Sequence, residues 1–279
     1  MINNLGYQKN LFILPFDHRS SFAKLFGYPE ESLTSEQKET ISKAKEIIYE
    51  AFKKAVDQRI PKDQAAILVD EEYGDKIIKD AISQNYNVIL TTEKSGQKEF
   101  SFEYGDEYAQ HIEKYKPSIV KALVRYFPDT NYAKLKTLSD YCHEKGYKFL
   151  IEVLTENKTA DEAIAAIKLF QNLGIEADIW KMEGMGTEKE YQDIVIQAQT
   201  GDRQNVNVII LGRGETQETV EKWITTGAKV NGIIGFAVGR TIFWNPLTEF
   251  VSSKIVRDQA IEMISNGFLH FYDLFVNKN

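Results

Sequence analysis

Apolar residues fall into eight short β-rich runs: Leu11 to Asp17, Ala65 to Asp70, Val88 to Thr92, Ile119 to Tyr126, Phe149 to Leu154, Asp178 to Glu183, Val208 to Leu211 and Gly232 to Val238. Polar or amphipathic stretches of helical length separate them: Glu36 to Gln58, Asp75 to Gln84, Glu107 to Lys114, Tyr132 to Lys145, Asp161 to Leu173, Glu188 to Gln199 and Glu218 to Thr226. Gly146, Gly174 and Gly227 follow last turns, where a left-handed cap is expected. Strict strand and helix alternation requires a parallel sheet, because a parallel crossover needs an intervening segment. Periodicity leaves closure open. Eight near-equal units with no early Gly-rich dinucleotide turn favour an α/β fold of the (β/α)8 TIM barrel type, one domain over residues 1–279, above an open doubly wound sheet.

In such a barrel chemistry gathers at the C-terminal ends of the strands, so the polar residues finishing apolar runs draw attention. They are Asp17, His18 and Arg19 after the first run, Asp70, Glu71 and Glu72 after the second, and Glu93 and Lys94 after the third. Lys121 and Arg125 follow in the fourth, Glu152 in the fifth, Lys181 and Glu183 in the sixth, then Arg213 and Arg240. Any one of these reads equally as a strand-end salt bridge or a solvated loop charge. Lys121 and Lys181 stand apart, since each sits inside an apolar strand with no loop leading to water, and lysine is rarely buried without a partner or a task.

Residues two apart on a strand share a face, so Lys181 aligns with Glu183 and Lys121 with Arg125. If that face is the barrel interior, two amines and several carboxylates meet in one pocket. A second ammonium and burial together would favour the neutral amine that a nucleophile needs, which is the requirement of Schiff-base chemistry. Imine formation and aldol cleavage also need a proton carrier, for which Glu152 is the first choice and Glu93 the second. The competing reading has Glu152 merely neutralising Lys121.

The last two runs end in Leu211-Gly-Arg-Gly-Glu and Gly235-Phe-Ala-Val-Gly-Arg-Thr. Glycines there let backbone N–H groups approach an anion, and loops after strands 7 and 8 commonly hold phosphate in barrels, with Arg213 and Arg240 adding charge. The same glycines also suit plain tight turns.

Composition narrows the picture. A formal net charge of −7 with scattered Lys and Arg argues against a nucleic-acid partner. Cys142 is the single cysteine, which excludes an intrachain disulfide and suits a reducing compartment such as the cytoplasm. Met1 to Gln8 lacks a signal-peptide pattern, and no apolar run reaches the ~20 residues of a membrane span. Only His18 of the four histidines (18, 111, 143 and 270) lies at a strand end, so no metal site is expected. Cys142 falls on an expected helix, and no G-x-S-x-G elbow is present, so neither a cysteine nor a serine nucleophile is indicated.

Pro15-Phe-Asp-His-Arg-Ser-Ser-Phe, Val69-Asp-Glu-Glu-Tyr-Gly, Val120-Lys-Ala-Leu-Val-Arg-Tyr, Trp180-Lys-Met-Glu and Gly235-Phe-Ala-Val-Gly-Arg-Thr-Ile-Phe occur in order along nearly the whole chain. Together they resemble the aldolase-like domain found fused behind the inositol-catabolism kinase IolC, within the wider class I tagatose-bisphosphate aldolase (LacD) group. The resemblance implies an imine lysine at Lys181, a second lysine at Lys121, and glutamates at Glu152 and Glu93, with no cofactor. It implies cleavage of 5-dehydro-2-deoxy-6-phosphogluconate to dihydroxyacetone phosphate and malonate semialdehyde. The substrate's carboxylate would need Arg19 or Arg125, and its phosphate would use Gly212, Arg213, Gly214, Gly239 and Arg240, with Asp17 also at the site. Gly184-Met185 and Leu211-Gly-Arg-Gly depart from the LacD pattern and bear on how the phosphate end binds. A ketose-bisphosphate aldolase is the alternative enzyme, and a non-catalytic sugar-phosphate sensor barrel the alternative of another kind. The expected partner is a small sugar phosphate, with a homo-oligomer open.

Overall fold

The computed structural model describes residues 4–29 and 32–277, so the first three residues of the Met1 to Gln8 stretch lie outside it. Eight strands pair in parallel and in sequence order, and β8 returns to β1 to close the barrel. They are β1 (Leu11–Pro15), β2 (Ala65–Val69), β3 (Asn87–Thr91), β4 (Ile119–Arg125), β5 (Lys148–Leu154), β6 (Ile179–Glu183), β7 (Asn207–Leu211) and β8 (Ile233–Ala237). The helices are α1 (Ser20–Leu25), α2 (Ser35–Gln58), α3 (Glu71–Ser83), α4 (Tyr108–Tyr115), α5 (Ala133–Lys145), α6 (Ala160–Asn172), α7 (Glu188–Ala198), α8 (Gln217–Gly227), α9 (Arg240–Val251) and α10 (Arg257–Val276). The chain is therefore a (β/α)8 TIM barrel. Closure excludes the open doubly wound sheet.

Local signals explain several helix starts. Thr34 and Thr187 form capping boxes with Gln37 and Glu190, and Asp70 caps α3 by accepting from the Tyr73 backbone N–H at 3.0 Å. Gly146 and Gly174 take left-handed φ values of 79° and 68° after α5 and α6, as their positions require. Gly227 does not. It is the last residue of α8, and a Cβ there would meet Ile210 Cδ1 at 2.5 Å, so glycine here serves the close packing of helix on strand.

Two layers of core follow from strand alternation. Outward residues pack beneath the helices. Inward residues such as Ile13, Leu68, Ile89, Ile119, Leu150 and Ile179 fill the bottom of the barrel. Two positions beyond the last three of these, towards the C-terminal end, the inward residues become Lys121, Glu152 and Lys181. The apolar plug thus forms the floor of a polar chamber.

Gly235 lies opposite Leu11 where β8 closes on β1, and a Cβ on it would sit 1.9 Å from the Leu11 carbonyl oxygen. Its role is barrel closure rather than anion approach, because the neighbouring backbone already occupies that space. Gly235→Ala should lower stability by about 2 kcal/mol through overpacking. A urea unfolding midpoint unchanged from wild type would refute this.

Candidate active site

The inward polar residues open into a cavity of about 460 Å³ at the C-terminal end of the barrel, where Lys181, Glu152, Lys121, Glu93 and Asp17 meet. Glu152 and Lys181 are register partners on adjacent strands. Lys181 Nζ donates to Glu152 Oε2 at 2.9 Å, and Lys121 Nζ lies 3.1 Å from the same oxygen. Lys121 also bonds Asp17 Oδ2 at 2.9 Å and Glu93 Oε1 at 2.5 Å. Lys121 and Lys181 are only 1% and 2% exposed, so both amines depend on these partners in place of water.

Burial works against the ammonium of Lys121, but Asp17, Glu152 and Glu93 outweigh it and hold its pKa well above the ordinary value. Lys121 is a fixed positive charge. Burial likewise opposes the carboxylate of Glu152, yet the two ammoniums, with the hydrogen bond from Lys181, bring it below its usual range. Asp17 is held low in the same way, its burial overcome chiefly by Lys121.

The opposite wall carries arginines. Arg213 and Gly214 take consecutive left-handed backbone conformations (φ 51° and 76°), turning the chain so that the Arg213 carbonyl accepts from Arg240 Nη2 at 2.8 Å. A Cβ on Gly214 would lie 2.9 Å from Arg240 Cζ, and one on Gly239 would lie 2.2 Å from the Pro15 carbonyl oxygen, so both loops need glycine. Glu183 bonds the Arg213 guanidinium while accepting from Thr155 N and Oγ1 at 3.0 and 2.6 Å. Burial, followed by the charge of Arg125, lowers the pKa of Arg213. The first turn of α9 opens here beside Gly239 and Arg240, so backbone N–H groups and guanidinium charge are gathered on this wall. Gly212 stands behind it, against Val238, outside the cavity lining.

Arg19, one of the two cations expected for the substrate's carboxylate, already has protein partners. It lines the cavity, but Nη1 is paired with Glu103 at 2.6 Å and Nη2 donates to the Glu93 carbonyl at 2.6 Å. It pins the base of a hairpin whose ends meet at the Glu93 and Phe102 bridge. Arg125 lines the cavity from β4, and its guanidinium makes no hydrogen bond or salt bridge among the described residues.

Three features have surroundings that a reading of strand ends leaves open. The hairpin places Lys94, Ser95 and Lys98 over the cavity, and nothing in its polar sequence marks it as more than a loop. His18 lines the wall between Asp17 and Arg240. Lys45, fully buried on α2, pairs with Asp70, and that pairing joins a helix face to a strand end 25 residues away. Among the described residues no group of three His, Cys, Asp or Glu side chains is placed to hold a metal ion, and no helix is long and apolar enough to cross a membrane.

Residues 3–279 match the family described as "Uncharacterized protein conserved in bacteria (DUF2090)". The chain belongs to the DUF2090 family. No curated protein matches it. Among solved structures, this DUF2090 barrel is similar to a fructose-bisphosphate aldolase from Slackia heliotrinireducens, at 13% identity and a TM-score of 0.56 over 92% of this chain and 86% of that one. It is also similar to a putative fructose-1,6-bisphosphate aldolase from Coccidioides immitis (14% identity, TM-score 0.52, 83% and 85% covered). A type I 3-dehydroquinate dehydratase from Clostridium difficile aligns at 13% identity and a TM-score of 0.51, over 91% and 95% of the two chains. At these identities the likeness is one of fold, a barrel scaffold shared by aldolases and a dehydratase.

Proposed function

We propose that this DUF2090 protein is a class I aldolase whose Lys181 forms an imine with a phosphorylated ketone. One observation carries the reading: a buried lysine amine, hydrogen-bonded to the carboxylate of its register partner, faces a cavity whose opposite wall is cationic. In this scheme Lys181 adds to the substrate carbonyl and water leaves as Glu152 relays the protons. Glu152 then takes the proton of the hydroxyl two carbons from the imine carbon. The intervening C–C bond breaks, its electron pair moves into the enamine, and an aldehyde departs. Protonation of the enamine carbon and hydrolysis of the imine release the second product. Lys121 supplies a fixed charge that keeps Glu152 ionised and in place.

The motif likeness to the aldolase-like domain behind the inositol kinase supports 5-dehydro-2-deoxy-6-phosphogluconate as substrate, giving dihydroxyacetone phosphate and malonate semialdehyde. Arg213, Gly214, Gly239 and Arg240 would then hold the phosphate. The guanidinium of Arg125, without a hydrogen bond or salt bridge among the described residues, is available for the carboxylate. The fold neighbours named as fructose-bisphosphate aldolases favour a ketose bisphosphate as the second reading. Turnover on a substrate panel separates the two, since cleavage of carboxylated substrates alone excludes the second. The single cysteine Cys142, buried on α5, suits a cytoplasmic enzyme.

Borohydride trapping with dihydroxyacetone phosphate, followed by intact mass and peptide mapping, tests the proposal. A stable adduct on Lys181 is expected. An adduct on Lys121 would exchange the two lysine roles, and no adduct on a protein that binds the ligand would overturn the aldolase reading. At the other end, Arg240→Met should raise KM for the phosphorylated substrate by about 10- to 100-fold, the loss of roughly 1.5 to 3 kcal/mol from a charged hydrogen bond. Equal KM values for the variant and wild type would move the phosphate elsewhere.

A further inference from the structure

His18 has no task in the cleavage scheme, although it lines the cavity with Lys181, Glu152 and Arg240. Its ring packs edge-on against Phe243 on α9, with centroids 6.1 Å apart, so its plane is set by an apolar neighbour. Nδ1 is buried without a hydrogen-bond partner, since Asp17 Oδ1 at 3.9 Å is too distant to bond it. A quarter of the side chain remains exposed, on the cavity side. Most buried side-chain polar atoms have a hydrogen-bond partner, so this orphaned ring nitrogen beside the cavity calls for an explanation.

We infer that His18 is a catalytic residue of the same reaction, the base that takes and returns the proton on the carbon next to the imine. This rests on the aldolase reading. In the condensation direction the neutral imidazole removes that proton from the Lys181-bound iminium. The C–H electron pair becomes the enamine double bond, the iminium nitrogen is neutralised, and the ring becomes imidazolium. In the cleavage direction the ring receives, through water in the cavity, the proton that Glu152 took from the hydroxyl, and as imidazolium passes it to the enamine carbon while the nitrogen returns to iminium. Asp17, on the Nδ1 side, stabilises the charge as it forms. A division of labour follows, in which Glu152 serves the hydroxyl oxygen and His18 serves carbon.

The surroundings fit a base rather than a resident cation. Burial, together with Arg240 and Lys181 and against Asp17 and Glu152, pushes the imidazole down to about 4, so the free protein holds it neutral. A phosphate on Arg240 cancels one of the charges that depress it, and the ring becomes a stronger base when substrate is present. Glu152 is the poorer choice for carbon, because both lysine nitrogens already occupy its Oε2, whereas the His18 Nδ1 has no hydrogen-bond partner.

The experiment is deuterium exchange into dihydroxyacetone phosphate in D2O, followed by NMR, beside borohydride trapping of the same samples. For His18→Asn and His18→Gln, the Lys181 adduct should form as in wild type while exchange falls by about 100-fold or more. In His18→Ala, added imidazole should restore part of the exchange. Exchange at the wild-type rate in an adduct-forming variant would overturn the assignment. So would loss of adduct and exchange in parallel, which would put His18 in imine formation. No adduct with wild type itself is a different failure, that of the aldolase reading on which the inference stands.

Discussion

Lys181→Met should abolish turnover, with a loss of roughly 10⁴-fold or more, because removing the nucleophile removes the covalent route itself. Methionine keeps nearly the length and volume of the lysine stem, which is 2% exposed in a packed barrel, so the change is chemical rather than volumetric. Glu152 loses one ammonium but keeps Lys121 at 3.1 Å, so no carboxylate is stranded without a partner. The arginine wall is untouched. Calorimetry should therefore find dihydroxyacetone phosphate bound with affinity lowered only modestly, while a coupled assay detects no product. This pairing separates an enzyme from a sensor: a barrel that only bound sugar phosphate would keep its biological effect in the variant. Turnover within tenfold of wild type would remove Lys181 from the chemistry.

The barrel was legible because its signal is repeated. Eight apolar runs and the helix-length stretches between them leave few parallel arrangements, and each run appears as a strand within a few residues of its sequence limits. What lay beyond the pattern was closure, which depends on β8 meeting β1 across more than two hundred residues. The count of eight units favoured it, while Gly235, where the two strands meet, reads from sequence as a glycine suited to an anion. Two helices after β8 were likewise unannounced, since α9 carries Pro246 and α10 follows the last strand, where the alternation provides no further count.

The site was partly legible for a similar reason. Lysine inside an apolar strand is costly unless paired, so Lys121 and Lys181 declare a polar chamber wherever their strand faces inward. Alternation then brings Glu152 and Glu93 in with them. Arg19 shows where this logic stops. A cation at a strand end is equally suited to a ligand and to a protein partner, and the deciding residue, Glu103, arrives from a hairpin whose pairing is set in three dimensions. His18 stood in view beside Asp17, but only the absence of a partner for its ring nitrogen distinguishes it.

Glu152→Gln should cost about 10³-fold in kcat if Glu152 carries the hydroxyl proton, within the span usual for loss of a general base. The amide keeps the shape and can still accept from Lys181, so the comparison isolates the ionisable oxygen. If Glu152 only neutralised Lys121, the variant would lose stability while retaining its rate, since Asp17 and Glu93 remain on that ammonium. The pH dependence supplies a second reading. Because the folded carboxyl lies below its usual value, its ionised form contributes stability above the unfolded carboxyl's pKa. That contribution is lost only as pH falls through the lower folded one. The base form therefore persists through mildly acidic pH, and the acid limb in kcat/KM assigned to Glu152 should fall below the ordinary glutamate range. In Glu152→Gln that limb should disappear along with most of the rate. A variant with near wild-type kcat and an unchanged acid limb would return Glu152 to a purely electrostatic role and leave the hydroxyl proton to another group.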